Sequence, residues 1–507
     1  MKLTNSAQMR EMDSYAIEEL KIPGEELMSN AAENLAQTVI EILKPGGNVA
    51  IFAGSGNNGG DGIGAAAYLL NKDIPVRLFF IGDEEQMTKD SVAMLQQLNF
   101  AAGSLEPFSS SIDVFEYVDS CDVIVDAIFG IGLNSELQGE ALSAVKCINN
   151  SPARVISADI ASGVHADTGA ILGDAVWADI TVTFSMAKPG HFVEPGCIRC
   201  GELRICDIGI PDDVIEGAIS PVFAMTHGEV RLPRRRPDAH KGDFGRCLIV
   251  SGSVGYTGAP ALAARAASKI GAGLVYLGVP ETIYGTMAVK LNEEMPFPLP
   301  ADKDGRLAAN AAGELIRRAG ECDVLLLGPG LGQSPDITEL VLSTLRLTSC
   351  PIVLDADGIN AISKNLEILE QTAAPVILTP HVGEYLRLGG DLTSGDRLRS
   401  AREFAHRHNC TLVLKGHRTI TALPDGTAYI NTTGGPSMAK GGSGDVLAGM
   451  IAALIAQRFT LKDAVTTAVY LHGLAGDMCA LELGEYSVTA TDIINMLPKA
   501  VICNTDV

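Results

Sequence analysis

Short apolar runs, each closed by a glycine or a polar residue, recur along this chain and constrain its fold more than any other feature. They fall at residues 48–54, 75–82, 121–126, 154–159 and 179–184, and again at 246–251, 273–278, 323–328, 351–356, 375–378 and 411–415. A strand with one wet face alternates apolar and polar residues. These runs barely alternate, so they belong to strands covered on both faces, as in a parallel sheet layered between helices. Stretches with helical spacing lie between them. The class is α/β, and in such sheets the loops beyond the strand C-termini form the site.

At 507 residues the chain exceeds a single core, and its 54 glycines with one Trp suit many strand-to-helix turns. The pattern breaks once, where Thr226-His-Gly-Glu-Val-Arg-Leu-Pro-Arg-Arg-Arg-Pro237 carries prolines and arginines without strand alternation. Two domains are expected, over 1–218 and 239–507, with 219–238 as a linker whose arginines are solvated. Ahead of the first strand, residues 9–43 have helical spacing broken at Pro23-Gly24 and form a lid or packing arm. Its Met9, Met12 and Met28 suit a core or a subunit contact, and a homo-oligomer is expected from them. With 38 Lys+Arg against 61 Asp+Glu the net charge is −23, which opposes nucleic-acid or anionic-membrane binding. Charges within residues 1–13 interrupt any signal-peptide core, and no apolar segment reaches the roughly 18 residues of a membrane span, so a soluble cytoplasmic protein is expected. The eleven cysteines are scattered and read as reduced and buried; Cys197-Ile-Arg-Cys200 alone is weak support for zinc.

In the first half, the run at 48–54 leads into Ser55-Gly56-Asn57-Asn58-Gly59-Gly60-Asp61-Gly62 and an alanine-rich helix, the strand, phosphate-type loop and helix that open a Rossmann-like unit. Its spacing departs from the dinucleotide fingerprint, because Asn57, Asn58 and Asp61 bring side-chain oxygens where that motif keeps bare backbone. Asp126 and Asp159 each end a strand. Singly, such a carboxylate caps the next helix; with Asn58 and Ser162 the two make an oxygen set suited to a hard cation and a polar substrate. The loop Gly130-Ile131-Gly132-Leu133-Asn134-Ser135-Glu136 shares that rim. Lys188 is open between a solvated loop charge and a place on the rim, while His165 and His191 read as structural.

The second half ends its series of rims at Gly434-Gly435-Pro436-Ser437-Met438-Ala439-Lys440-Gly441-Gly442-Ser443-Gly444-Asp445, followed by an apolar helix. The glycines let backbone N–H groups turn onto an anion, the helix dipole stands behind them, and Asp445 is placed to meet a substrate hydroxyl. Phosphoryl chemistry follows. Earlier rims are Gly328-Pro-Gly330-Leu-Gly332, Asp355-Ala-Asp-Gly358, Thr379-Pro-His381-Val382-Gly383-Glu384-Tyr385-Leu386-Arg387 and Lys415-Gly416-His417-Arg418-Thr419, with Gly258 leading into the alanine-rich helix of this half. His381 is open between orienting a substrate and packing in the core.

These motifs carry two resemblances. The first set, in order over about 9–212, resembles the NAD(P)H-hydrate epimerase family; one departure is Ala161, where that family usually shows proline. The resemblance implies potassium held by Asn58, Asp126 and Ser162, hydrate bound by residues 57–61, 130–136 and Asp159, and a proton moved by Asp159. The second set, over about 240–500, resembles the ribokinase-like fold and most closely its ADP-dependent NAD(P)H-hydrate dehydratases. It implies nucleotide contacts at 415–419 and 435–444, and hydrate contacts at Gly258, Gly330, Gly332, 381–387 and Asp445. ADP, with Mg2+, would be the phosphoryl donor and Asp445 the base. The competing expectation is a ribokinase-like kinase of a vitamin-precursor alcohol fused to a non-catalytic scaffold, which leaves the amino-terminal oxygen set without a use.

Overall fold

The computed structural model describes residues 1–505 and divides into two compact units, one of residues 2–222 and the other of residue 1 with 223 onward. The first is built on seven parallel strands: β1 (Val49–Gly54), β2 (Val76–Ile81), β3 (Leu105–Pro107), β4 (Val123–Ala127), β5 (Arg154–Ala158), β6 (Ile180–Phe184) and β7 (Glu202–Cys206). Their order is β3-β2-β1-β4-β5-β6-β7. Every residue of β1 is buried, because both faces are covered. Val49, Ile51 and Ala53 pack toward the helices Gly24–Ile42 and Asn57–Leu70, whereas Ala50 and Phe52 join a core with the helices Ile112–Ser120 and Gly139–Asn150. The strand order reverses between β1 and β4, so the loops after these two strands diverge and leave a crevice at the switch point.

Met9, Met12 and Met28 are buried in this unit's own core. The expectation of an oligomer drew on them, and the structure leaves it without that support. Gly59 shows why the loop after β1 is glycine-rich: a Cβ there would lie 1.8 Å from the carbonyl oxygen of Gly54. Helix and strand approach too closely for any side chain.

The second unit carries a ten-stranded sheet of β8 (Val222–Met225, starting at the boundary residue), β9 (Arg246–Val250), β10 (Leu274–Pro280), β11 (Met295–Leu299), β12 (Val324–Leu327), β13 (Ile352–Leu354), β14 (Val376–Leu378), β15 (Thr411–Leu414), β16 (Ile420–Ala422) and β17 (Ala428–Asn431). The order is β11-β10-β9-β12-β13-β14-β15-β16-β17-β8, parallel from β11 to β15 and antiparallel through β16 and β17. At its centre the helix Ser443–Ala456 is buried from Val446 onward and packs with the helices Gly258–Lys269 and Leu461–Leu483. Among the described residues no helix is long and apolar enough to cross a membrane.

Part of the expected linker is a strand. β8 lies within 219–238 as the edge of the second sheet, where Phe223 stacks on Tyr429 with centroids 5.2 Å apart. A four-residue run is too short to stand out among flanking prolines and serines. Arg235 is also not simply solvated: it lies 3.7 Å over the ring of Phe244 and donates to the Gly271 carbonyl at 2.6 Å.

Candidate active sites

The crevice of the first unit is a cavity of about 490 Å3 under the helix Ser6–Glu18. Asp159 stands at its floor. It follows β5 with φ +62°, a left-handed conformation that β-carbon sterics disfavour and that functional residues often carry. Lys188, 1% exposed, donates to Asp159 Oδ1 at 2.5 Å and to Thr183 Oγ1 at 2.8 Å; Thr183 donates to Oδ1 at 3.2 Å and the Ile131 amide to Oδ2 at 3.2 Å. Burial alone would push the Asp159 carboxyl up, but the bonded Lys188 ammonium holds it below the usual carboxylate range. The Lys188 amide donates to His191 Nδ1, whose Nε2 lies 2.9 Å from the Asp159 carbonyl oxygen. Burial, reinforced by Lys188, takes His191 down to about 4, so it is a neutral strut.

Two further carboxylates line this cavity. Burial, together with Asp159 and Asp13, pushes Asp61 well above its ordinary value; burial, opposed by Lys188, takes Asp13 up to about 6. Asp126, in β4, is fully buried and accepts from Ser157 Oγ at 2.8 Å and from the Ser162 amide and hydroxyl at 2.8 and 2.6 Å. Asn58 is different: both of its side-chain polar atoms are buried without a partner. A Cβ on Gly130 would sit 3.1 Å from Asn58 Oδ1 and 2.9 Å from Asp159 Oδ2, so the glycine lets the loop pass between them. An unsatisfied buried amide oxygen on the same sheet rim as a carboxylate and a hydroxyl is a donor set that suits a hard monovalent cation.

Most of the rim expected from sequence lies together here. Asn57, Asn58, Asp61, Gly130, Ile131, Gly132, Leu133 and Asp159 line the cavity; Gly59 and Gly60 are buried behind it. Asn134, Ser135 and Glu136 are exposed and do not line it. Lys188 resolves as a buried rim residue rather than a solvated charge. Asp13 and Thr183 were missed: the signals were a carboxylate one helical turn from Met9, and polar atoms inside the run 179–184.

In the second unit the corresponding cavity, about 510 Å3, is lined among others by Lys415, Gly416, His417, Thr419, Gly435, Pro436, Met438, Ala439, Ser443 and Gly444. Gly442 precedes the helix with φ +94°, a conformation glycine takes freely, and Ser443 and Gly444 of the first turn line the pocket. Lys415 follows β15 and pairs with Asp355 Oδ1 at 2.8 Å, an oxygen that also accepts from Thr379 Oγ1 at 2.8 Å. Burial would lower the Lys415 ammonium, but Asp355 and Glu384 raise it above its ordinary value. Asp445, in the first turn, is pushed up to about 7 by burial and by Asp355, against Lys415. His472 reaches this pocket too, neutral because burial takes it down to about 4, with Nε2 3.3 Å from Ser443 Oγ. Asp477 accepts from the Gly434 amide at 2.8 Å. Neither residue belongs to a rim motif, since both lie on the helix Leu461–Leu483.

Gly258 opens its helix close to Gly330, whose Cβ would meet Tyr256 and Ala259 at 3.1 and 3.2 Å, and the Gly332 amide donates to Asp357 Oδ2 at 2.9 Å. His381 is neither core nor free. Its Nδ1 accepts from the Gly383 amide at 2.9 Å, capping the helix Val382–Arg387, while its own amide donates to the buried Glu384 at 2.9 Å. Val382 and Leu386 are exposed and Arg387 donates to Asn360 Oδ1. The Tyr385 side chain is turned into the core: it is fully buried, packs edge-on against Phe404 and lies 2.8 Å from Ser400 Oγ. Outside the pocket lining, Arg418 donates to the Thr432 carbonyl, Lys440 donates to the Tyr486 carbonyl, Ser437 is buried and Gly441 is exposed.

Residues 247–499 match the family model described as NAD(P)H-hydrate dehydratase, and residues 24–190 match that described as YjeF-related protein N-terminus. The chain is 39% identical to the bifunctional NAD(P)H-hydrate repair enzyme of Moorella thermoacetica, over 98% of this chain and 96% of that protein, and 36% identical to that of Thermofilum pendens, over 99% and 96%. Among solved structures, the ADP/ATP-dependent NAD(P)H-hydrate dehydratase from Bacillus subtilis, co-crystallised with ATP/Mg2+, is 32% identical with a TM-score of 0.46, covering 53% of this chain and 93% of that one. Two sheet rims, each with a Lys–Asp pair beside a carboxylate of raised pKa, belong to a two-domain α/β enzyme. The chain belongs to the family of bifunctional NAD(P)H-hydrate repair enzymes, with an epimerase domain followed by a dehydratase domain.

Proposed function

We propose that the first unit interconverts the R and S hydrates of NADH and NADPH at the carbon bearing the added hydroxyl, and that the second restores the dihydropyridine from the S hydrate at the expense of ADP. Hydroxide is a poor leaving group. Transfer of the ADP β-phosphoryl to the hydrate oxygen gives AMP and a phosphorylated intermediate, from which phosphate departs. Asp445 accepts the hydroxyl proton as the oxygen attacks, and the amides of Gly442 to Gly444 stabilise charge on the moving group. Lys415, Gly416, His417 and Thr419 hold the nucleotide with the loop 435–444; Gly258, Gly330, Gly332 and the helix headed by His381 hold the hydrate. Mg2+ accompanying the nucleotide supplies charge neutralisation on its phosphates.

In the first unit Asp159 moves the proton, and the loops at 57–61 and 130–136 hold the hydrate. Asn58, Asp126 and Ser162 hold potassium, which supplies a fixed positive charge beside the substrate. The orphaned Asn58 amide is the observation that favours a cation there. We infer that this work is done in the cytoplasm.

The reading rests most on Asp445, a part-buried carboxylate raised to about 7 in the first turn of a glycine-led helix, suited to a base beside a phosphoryl acceptor. Mixed hydrate epimers given ADP, ATP or neither decide it. Complete return of NADH absorbance with ADP supports both activities, recovery stalling at about half leaves the dehydratase alone, and no recovery with either nucleotide overturns the reading.

A further inference from the structure

Three carboxylates, of Asp13, Asp61 and Asp159, face one cavity that holds a single buried ammonium, Lys188. Their hydrogen bonding divides them. Asp159 is saturated by Lys188, Thr183 and the Ile131 amide. Among the described residues, Asp13 and Asp61 accept no hydrogen bond and form no ion pair, although Asp61 is only 8% exposed. One ammonium cannot compensate three carboxylates, of which Asp61 and Asp159 are buried and Asp13 is part-buried, and an unpaired, desolvated carboxylate takes up a proton rather than stay charged. The cavity therefore keeps one ionised carboxylate and a second pair that retains a proton.

We propose that Asp13, on the helix Ser6–Glu18 and outside the loops that form the rim, is the proton donor of hydrate epimerisation, with Asp61 sharing its proton and Asp159 as the acceptor. This rests on the epimerase reading above. The carbon that bears the hydroxyl is also bonded to the ring nitrogen. Asp13 gives its proton to the hydroxyl oxygen, the C–O bond breaks with its electron pair leaving on water, and the nitrogen lone pair forms a C=N bond. Water then adds from the opposite face, the C=N pair returns to nitrogen, and the surplus proton passes to the Asp159 carboxylate. Exchange with solvent and Asp61 resets both groups, so the net change is an isomerisation without co-reactant. The protonated adduct is a strong acid, for which a weak base such as a lysine-paired carboxylate suffices.

The groups facing Asp13 are Asp61, Asp159, Lys188 and Asp90 from other elements, with Arg10 on its own helix. Burial takes Asp13 to about 6, close to the working pH, where a general acid is most effective. The full chain is assayed with the R hydrate of NADH, following formation of the S hydrate, with turnover of the S hydrate and ADP as the fold control. Asp13→Asn should slow exchange by about 100-fold or more, Asp13→Glu should keep it with its alkaline limb moved, and Asp13→Ala should be restored by formate buffers in proportion to undissociated formic acid. Exchange by Asp13→Asn within about threefold of the parent and with an unchanged pH profile overturns the assignment. So does an inactive Asp13→Glu together with an Asp13→Ala that formic acid does not restore, the signature of a packing role. A parent chain that dehydrates the S hydrate yet exchanges no epimers defeats the epimerase reading itself, and the proton donor falls with it.

Discussion

Removing the ammonium from the Asp159–Lys188 pair gives the sharpest test of the first site. In Lys188→Met the side-chain volume is nearly kept, but Asp159 loses its counter-charge in a position 8% exposed. Breaking a buried pair at one end costs about 3–5 kcal/mol, because the remaining charge is uncompensated. For a unit of about 220 residues, at roughly 2–4 °C per kcal/mol, the first unit's Tm should fall by about 6–20 °C. The pH dependence carries the sign. In the parent, the Asp159 carboxyl is held below its unfolded value, so its stabilisation is present above about pH 4 and is lost as pH falls through the folded value. In Lys188→Met only burial remains to act strongly on it, which raises it. The folded state then prefers the proton, and the defect is largest near pH 8 and shrinks toward pH 5. Lys188→Met with Asp159→Asn, which removes the orphan charge, should recover part of the Tm while leaving exchange inactive. Calorimetric scans at several pH values check all three. A defect that is the same at pH 5 and pH 8, or a double variant no more stable than Lys188→Met, would refute the buried-charge argument.

Other outcomes follow from the same geometry. Asp445→Asn should lower ADP-dependent NADH recovery by about 10²–10⁴-fold and leave R/S exchange untouched; retained dehydration removes Asp445 as the base. Because a base works when ionised and Asp445 is raised to about 7, the dehydratase rate should climb with pH up to about 7 and level above it; Lys415→Met, which removes a charge that lowers Asp445, should move that limb to higher pH. In Asn58→Ala, the potassium concentration needed for half-maximal exchange should rise by about tenfold or more, and an exchange rate indifferent to potassium in both forms defeats the cation site. Gly59→Ala would drive a methyl against the Gly54 carbonyl and should destabilise the first unit by about 3 kcal/mol or more, read by denaturant titration.

The central strands were legible because a strand covered on both faces prints a continuous apolar run, and β1, β4, β9 and β12 all do. The edge strands β7 and β11 print no such run. β7 has no fully buried residue, and β11 carries Pro296 and Pro298, which only an edge tolerates. Strand-end carboxylates were legible for the same reason, since the residue after an apolar run must sit on the rim. Lys188, Asp13 and His472 were not, because a residue's spacing on its own element says nothing of what another element brings opposite. Tyr385 shows the limit within a motif: residues 381–387 read as one contact loop, whereas the chain there is a helix with one face in the core.

Both units reach the same electrostatic arrangement from unrelated loops. In the first, Lys188 after β6 fixes Asp159 after β5, leaving Asp13 and Asp61 to hold a proton; in the second, Lys415 after β15 fixes Asp355 after β13, leaving Asp445 at about 7. In each case the lysine bonds one carboxylate, and burial outweighs its remaining pull on the neighbour. A rim with one carboxylate alone would be pulled either to full ionisation by the lysine or to full protonation by burial. More carboxylates than ammonium groups on a rim keep one carboxylate ionised and another titrating near neutral pH, which is what acid–base work at a hemiaminal carbon, or at a hydroxyl about to take a phosphoryl group, requires.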